Sequence, residues 1–452
     1  MDWEHLPMTA NFGTDGTPDM QSMFAARAAT GTVGQSGNTL ADGVLSGYAW
    51  DSSSITYAFP DQKGDYGYRG ERDKGFSEVN GNVKDAVRWT LDQGYGNAAN
   101  DGFSVEGLTL LSISAGSDGD ADIRYAESRA ANPTAYAYYP VRGEIAGDVW
   151  LGTSAILNNP RPGHYAFATI IHETGHALGL KHGHASDRFD LIRDTLPGRY
   201  DSLEYSVMTY HSHVDQKGSS GYTNEMFGFP QSFMMADILA LQHMYGADYT
   251  TNGGDTVYRW TPKSGNTLVD GAVGINAGAN RIFATIWDGG GSDTYDLSAY
   301  RNGVEIDLRA GQASTFSTNQ LADLDQFRNG KLASGNIYNA LLHEGDQRSL
   351  IENAIGGRGN DTFRGNAVDN VFTGNAGADI FFFRTGGGSD TIADFSGNDR
   401  INLAGMGLDF ADVQALGADS GGHYVIDFGN GDTLTLLNVT EASLTAGDFM
   451  FG

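Results

Sequence analysis

The chain has 452 residues and a formal charge of -28. That length favours two domains over a single core, and a charge so negative repels nucleic acid and anionic membranes while suiting calcium or a saline exterior. Glycine is the compositional outlier at 63 residues, about twice the usual share of roughly 7%, yet no Gly-x-y period accompanies it and collagen is excluded. There is no cysteine, so an exported chain of this kind would be stabilised by core size or metals instead of disulfides.

The opening "MDWEHLPMTANFG" lacks a basic region followed by an apolar one, which argues against a Sec signal peptide. Residues 1–42 are rich in Gly, Thr, Asp and Ser and poor in apolar periodicity, and are expected to form a loose leader or prosegment. "SITYAFP" (Ser54 to Pro60) reads as a strand, and "VNGNVKDAVRWTLDQG" (Val79 to Gly94) as a helix with Val83, Val87 and Leu91 on one face. "LTLLSIS", "ADIRYAES" and "GDVWLGT" read as further strands. Tyr165 to Leu180 reads as a buried helix, with Pro162, Gly163 and a capping His164 at its start, and Phe233 to Gly246 as another helix. This alternation predicts an α/β domain over 43–246. No run approaches the length of a membrane-spanning helix.

After Ala247 short strand-like pieces alternate with glycine and aspartate. "GGGSDTYDL", "GGRGNDTFRG", "GNAGADIFFF" and "GGGSDTIADF" stand out, with a degenerate copy "GNAVDNVFTG" between the second and third. Asp361, Asp369, Asp379 and Asp390 recur through this stretch. Glycines permit the tight turns, each aspartate adds a carboxylate, and an apolar residue two places on points inward from a short strand. That is the pattern of a calcium-binding parallel β-roll, in which oxygens from successive turns share one ion. The candidate calcium positions are Gly357, Gly359, Asp361, Asp369, Gly374, Ala376, Asp379, Gly387 and Asp390. Residues 247–452 are therefore expected to be an all-β domain. The plainer alternative is a set of solvated Gly/Asp turns, which so many copies in partial register disfavour.

The chemistry concentrates in "TIIHETGHALGLKH" (Thr169 to His182). His172 and His176 lie four apart, so on a helix they share a face and can reach one ion. Glu173 is offset by one residue, beside the ion, where it suits a base acting on water. A left-handed glycine at Gly179 would end the helix and let the chain turn back, so that His182 supplies a third nitrogen. Three protein ligands with an open position make a catalytic zinc site. An ordinary polar helix face is disfavoured because the preceding "YAFATII" is apolar and buried charge needs a partner. His184, His211 and His213 are secondary candidates; His5, His243, His343 and His423 carry no assigned role.

His172-Glu173-x-x-His176-x-x-Gly179-x-x-His182 followed by Met208 in "SVMTY" is the metzincin pattern. Together with the acidic glycine-rich repeats and the absence of cysteine, it resembles the serralysin family of bacterial RTX-type zinc metalloproteases. The resemblance covers roughly residues 45–452, through "ITYAFP", "MADILALQHMYGADY", "ATIWDGGGSDTYDLS" and "IENAIGGRGNDTF" as well. It implies a metzincin-like protease domain followed by the calcium β-roll capped by antiparallel strands. His172, His176 and His182 would hold one zinc ion. Glu173 would be the general base, and Met208 the methionine under the metal. Tyr210 would ligate zinc at rest and swing away to hydrogen-bond the oxyanion. Several structural calcium ions are implied, together with protein or peptide substrates and a secreted, monomeric product. Export through a type I secretion apparatus reading a C-terminal signal is implied too, as is a proteinaceous inhibitor as a candidate partner.

The chain departs from the family at Thr174, usually apolar; at Gly183, usually proline; at His211, commonly tryptophan; and in the repeat at Asp369, where Ala367 is taken to replace the fourth glycine. An extended substrate is expected to pair with an edge strand at "ADIRYAE" (Ala121 to Glu127). Two rival readings are a calcium-dependent adhesion protein with a disabled protease domain, which the intact Glu173 disfavours, and a different zinc hydrolase on the same scaffold.

Overall fold

The computed structural model describes residues 27–216, 221–327 and 330–452. Ahead of the first expected strand it contains β1 (Thr30–Thr32), α1 (Thr39–Val44) and β2 (Tyr48–Trp50). β1 and β2 pair antiparallel, and Leu40, Ala41 and Val44 of α1 are buried in the main core. Residues 27–42 are thus not a loose leader. Asn38 caps α1 through its side chain, and alternation is absent because these elements are only a few residues long. The remainder of the expected leader, residues 1–26, lies outside the described residues.

The following elements are β3 (Ser54–Ala58), β4 (Ser77–Glu78), α2 (Gly81–Leu91), α3 (Val105–Leu108), β5 (Ser112–Ala115), β6 (Ile123–Glu127), β7 (Ala135–Ala137), β8 (Asp148–Leu151), α4 (Tyr165–Leu178) and α5 (Met235–Tyr245). The sheet order is β5-β3-β6-β8-β7, with β4 also pairing β6. All pairs on this path are parallel except β7, which runs antiparallel to β8. β6 is therefore interior, between β3 and β8, and cannot accept a further strand. The edges of this path are β5 and β7, and β7 is the one that follows β6 toward α4. A buried hydrophobic run made β6 legible as a strand, but pairing order is not written in a single strand's pattern.

Beyond residue 247 two parallel sheets face each other. One contains Asn353–Ile355, Val371–Thr373, Ser389–Ile392 and Asp432–Leu436; the other contains Glu305–Asp307, Thr362–Arg364, Ile380–Phe382, Arg400–Asn402 and Phe449–Met450. The chain alternates between them, one short strand per turn, which is the geometry of a roll. Ala354, Phe372, Ile392 and Leu434 from one sheet meet Ile306, Phe363, Phe381 and Ile401 from the other in a common core. Antiparallel hairpins close both ends of the longer sheet. The main core of the N-terminal part also includes Phe283, Trp287, Leu324 and Tyr338, so the change of texture near residue 247 is not a break in packing.

Phe363 is fully buried and stacks on Phe381 with ring centroids 4.9 Å apart. Phe363→Ala is expected to cost about 3–5 kcal/mol of roll stability, read as a lower denaturant midpoint for the transition that exposes the roll aromatics. A shift under about 1 kcal/mol would mean that the layers are not close-packed.

Candidate metal centre

α4 is capped at its start by His164, whose Nδ1 accepts the Ala166 N–H at 3.1 Å. It ends at Gly179, which has φ +110°, and a Cβ there would lie 2.1 Å from Tyr48 O, so only glycine is admitted. Leu180 then bridges antiparallel to Leu45, and the chain returns with His182 facing the helix.

His172, His176 and His182 converge, their ligand atoms all within 4.8 Å of one another. His172 Nδ1 pairs with Val207 O at 2.8 Å and His176 Nδ1 with Leu180 O at 2.7 Å. Each carbonyl demands a proton on Nδ1, which leaves the Nε2 lone pair for a metal. His172 Nε2 is buried and finds no hydrogen-bond partner among the described residues. Burial pushes the imidazoles down, His172 to about 4 and His176 to about 3, which keeps them neutral as metal ligands must be. The donor set, its tautomers and the orphaned nitrogen all fit a divalent ion that favours imidazole, of which zinc is the natural choice.

Glu173 is 5% exposed, its Oε2 has no partner among the described residues, and burial pushes its carboxyl up to about 8. Met208 lies beneath, fully buried, so close to Gly175 that a Cβ there would come within 2.7 Å of Met208 Sδ. The Tyr210 ring is 4.5 Å from that of His182 and 5.6 Å from that of His172. The residues flanking β7 meet α4: Thr134 and Tyr165 share a hydrogen bond at 2.6 Å, and Tyr139 packs edge-on to His176.

Two departures have local reasons. The Thr174 hydroxyl bonds the Tyr125 phenol at 2.8 Å inside the core, so the polar residue is satisfied. Gly183 N–H donates to Met208 O at 3.0 Å, a bond that proline could not make, and a Cβ at Gly183 would fall 2.5 Å from Leu196. Of the remaining histidines, His184 and His211 lie beside the cluster and the others lie apart from it. His184 Nδ1 accepts the Tyr210 N–H, His211 pairs with Asp201, His213 lies near Asp325, His243 meets Gly34 O, and His423 accepts from Asn438.

Several residues that matter were not legible. Lys181 is buried and donates to Gly43 O and Asp194 O, tying the His182 segment to α1. Asp237, fully buried on α5, accepts Ser206 Oγ–H, Val207 N–H and Met234 N–H, and so fixes the turn carrying Met208. A lone aspartate in an apolar helix was the available signal.

In the roll, consecutive turns fall on opposite edges. Asp361 and Asp379 stack on one edge, where the Asp361 N–H donates to Asp379 at 2.8 Å and the Asp379 N–H to Asp399 at 3.0 Å. Asp390 lies on the other edge and accepts from Asn370 N at 2.9 Å. Strand register places Asn370, not Asp369, at the repeat's carboxylate position: Asn366 N–H donates to Asn370 just as Gly357 N–H donates to Asp361. The fourth position of that copy is consequently Val368, not Ala367. Asp369 instead accepts the Ser389 N–H at 2.7 Å. Gly357, Gly359, Gly374, Ala376 and Gly387 all lie on these turns. Ahead of them, Asp288 and Asp293 are both buried, burial raises both carboxyls, and Asp293 Oδ2 is unpartnered among the described residues. Glu352 accepts the Asp293 N–H at 2.8 Å.

Residues 247–452 match the family described as peptidase M10 serralysin C terminal. The chain is 31% identical over 329 residues to the serralysin of Proteus mirabilis, an overlap covering 71% of this chain and 60% of that protein. The chain is similar to members of the serralysin family along most of its length. It is also 29% identical to metalloprotease AprA of Pseudomonas entomophila (strain L48), over 74% of this chain and 72% of that one. With serralysin C of Dickeya chrysanthemi it shares 34% identity over 50% of this chain and 42% of that one. The chain thus spans about three fifths of the Proteus serralysin. The family's architecture accords with the α/β part and the β-rich part seen here.

Asp237 gives a pH signature. Burial pushes its carboxyl from 3.8 up to about 7 despite three donors. Between those values the folded state holds a proton that the unfolded state has released, so stability falls as pH rises from about 4 to about 7. Asp237→Asn cannot titrate; its amide oxygen can accept both main-chain N–H groups while its NH2 donates to Ser206 Oγ. Its stability relative to the parent should therefore rise across that window and level off above it, measured by denaturant unfolding at a series of pH values. A constant difference would show that Asp237 is ionised throughout.

Proposed function

We propose that this chain is a secreted zinc-dependent endopeptidase. The observation that carries the reading is the convergence of His172, His176 and His182, with two Nδ1 atoms committed to carbonyls and an unpartnered Glu173 oxygen beside them. A structural site would have no use for that carboxylate, which disfavours the reading as a disabled adhesion module. The family's names are those of metalloproteases and serralysins, which favours peptide bonds over other hydrolysable groups.

His172, His176 and His182 would hold the zinc ion. When bound, zinc supplies Lewis acidity toward the scissile carbonyl and acidifies water at neutral pH. Glu173 would take the proton of the attacking water and return it to the departing amine. Tyr210, raised by burial, stays a phenol and can donate to the developing oxyanion. The cleft side of β7 offers free backbone groups to an extended substrate. Among the described residues no helix is long and apolar enough to cross a membrane. A prosegment within residues 1–42 belongs to this reading, with the type I export apparatus and an inhibitor as its proposed partners.

Elemental mass spectrometry should find about one zinc per chain, and casein cleavage should be lost on chelation with 1,10-phenanthroline and restored by zinc. Glu173→Gln should retain the metal and lower kcat about 10²–10⁴-fold. Full activity in that variant would overturn the role of Glu173, and failure of added zinc to bind would overturn the site.

Calcium is the proposed ligand of the roll, held between stacked turns at Asp361 and Asp379, at Asp390, and around Asp288, Asp293 and Glu352. The thermal midpoint and circular dichroism of the whole chain should therefore change strongly between EDTA and millimolar calcium. Identical curves would overturn the assignment.

A further inference from the structure

The main chain around Tyr210 is held from both sides by one carboxylate. Asp201 Oδ1 accepts the Thr209 hydroxyl, and Asp201 Oδ2 accepts the His211 Nδ1–H at 2.8 Å. Thr209 Oγ1 in turn accepts the His211 N–H at 3.2 Å. Between these anchors the Tyr210 N–H donates to His184 Nδ1 at 3.2 Å. The flanking carbonyls are engaged as well, Thr209 O by the Tyr222 phenol at 3.0 Å and His211 O by Leu203 N–H at 2.9 Å. The Tyr210 side chain has a different environment. It lies among rings, with centroids 4.5 Å from His182, 4.7 Å from His184 and 6.1 Å from Tyr222.

The backbone is thus pinned at positions 209, 210 and 211, while the phenol is held by ring contacts that a rotation about χ1 can exchange. A carboxylate suits the pinning role because it offers acceptor sites on two oxygens to two donors at once, with charge-assisted strength toward the imidazole. We propose that Asp201 is a positioning residue for Tyr210, locking the peptide on both sides of it so that the phenol reaches the oxyanion by side-chain rotation from a fixed Cα. This rests on the reading of Tyr210 as an oxyanion donor. The benefit is preorganisation: a donor whose backbone drifts by even about 1 Å loses most of its effect on the transition state. His211 is the second arm of this clamp, its Nδ1 committed to Asp201, and it stands outside the cluster of His172, His176 and His182.

The test is a double-mutant cycle of Asp201→Ala and Tyr210→Phe, with kcat and KM measured on a peptide substrate. It is paired with hydrogen exchange of the metal-free proteins. Asp201→Ala should lower kcat about tenfold with KM little changed, and should have no further effect in the Tyr210→Phe background. In the metal-free protein, amides of residues 207–212 should exchange about tenfold faster in Asp201→Ala, while those of α5 keep their rates. Equal losses in both backgrounds would make Asp201 a general structural residue and overturn the proposal. So would unchanged kcat and exchange in Asp201→Ala. If Tyr210→Phe keeps full kcat, the oxyanion reading itself falls and takes the proposal with it, while zinc content and the Glu173 result stand. Should Asp201→Ala fail to fold, His211→Phe removes one arm only. It should shift kcat and local exchange in the same direction by about threefold, and no shift in either would likewise overturn the clamp.

Discussion

The reversal of the chain at Gly179 is the constraint on which the centre depends. A helix can bring His172 and His176 to one ion, but the third imidazole must arrive from outside the helix, and it arrives because residue 179 adopts a left-handed conformation against the Tyr48 carbonyl. Ending a buried helix strands its last carbonyls. Here each finds a donor: Ala177 O the Trp50 indole at 3.0 Å, Leu178 O the Tyr245 phenol at 2.5 Å, and Gly179 O the Ser46 hydroxyl at 2.6 Å. The segment that resembles a structureless leader in composition thus leads straight into residues that satisfy the end of the metal-binding helix.

The floor of the site is built from both halves of the chain. Glu204, close to the Met208 turn, accepts from Ser334 N–H at 2.7 Å and the Tyr338 phenol at 2.8 Å. Glu225 pairs with Arg281, and Thr223 donates to Leu324 O at 2.6 Å. A buried carboxylate such as Glu204 is costly without its donors, so the turn under the imidazoles keeps its position only while the strands after residue 280 keep theirs. Asp237 completes the arrangement by joining the same turn to the start of α5.

Most helices and strands of the α/β part, and the three imidazoles with Glu173, were legible because each has a local signature: a 3.6-residue period, a glycine stop, or fixed ligand spacing. What was not legible depends on partners distant in sequence. The interior position of β6 follows from its pairing with β3 and β8. The tolerance of Thr174 follows from Tyr125, and that of Gly183 from Leu196 and Met208. The misplaced repeat is instructive. Aspartate at 369 and asparagine at 370 are adjacent and chemically close, and only the strand register at Val371–Thr373 decides which of them faces the stacked turns.

The charge of -28 is not spread evenly over a solvated surface. Asp288, Asp293, Asp361, Asp379 and Asp390 are all nearly inaccessible. Burial pushes Asp361 up to about 6 and Asp379 and Asp390 up to about 7. Main-chain N–H donors, two at Asp361 and one each at Asp379 and Asp390, offset part of the desolvation, but they are weak partners for a full negative charge. Without a cation such carboxylates would have to hold protons near neutral pH or loosen the turns that carry them. A divalent ion between stacked turns, as proposed above, would remove that conflict by meeting several of these oxygens at once, and would leave the apolar interior of the roll unaltered. Folding of the roll and ion concentration would then be a single equilibrium, and dense acidic turns with few basic neighbours would be its compositional mark.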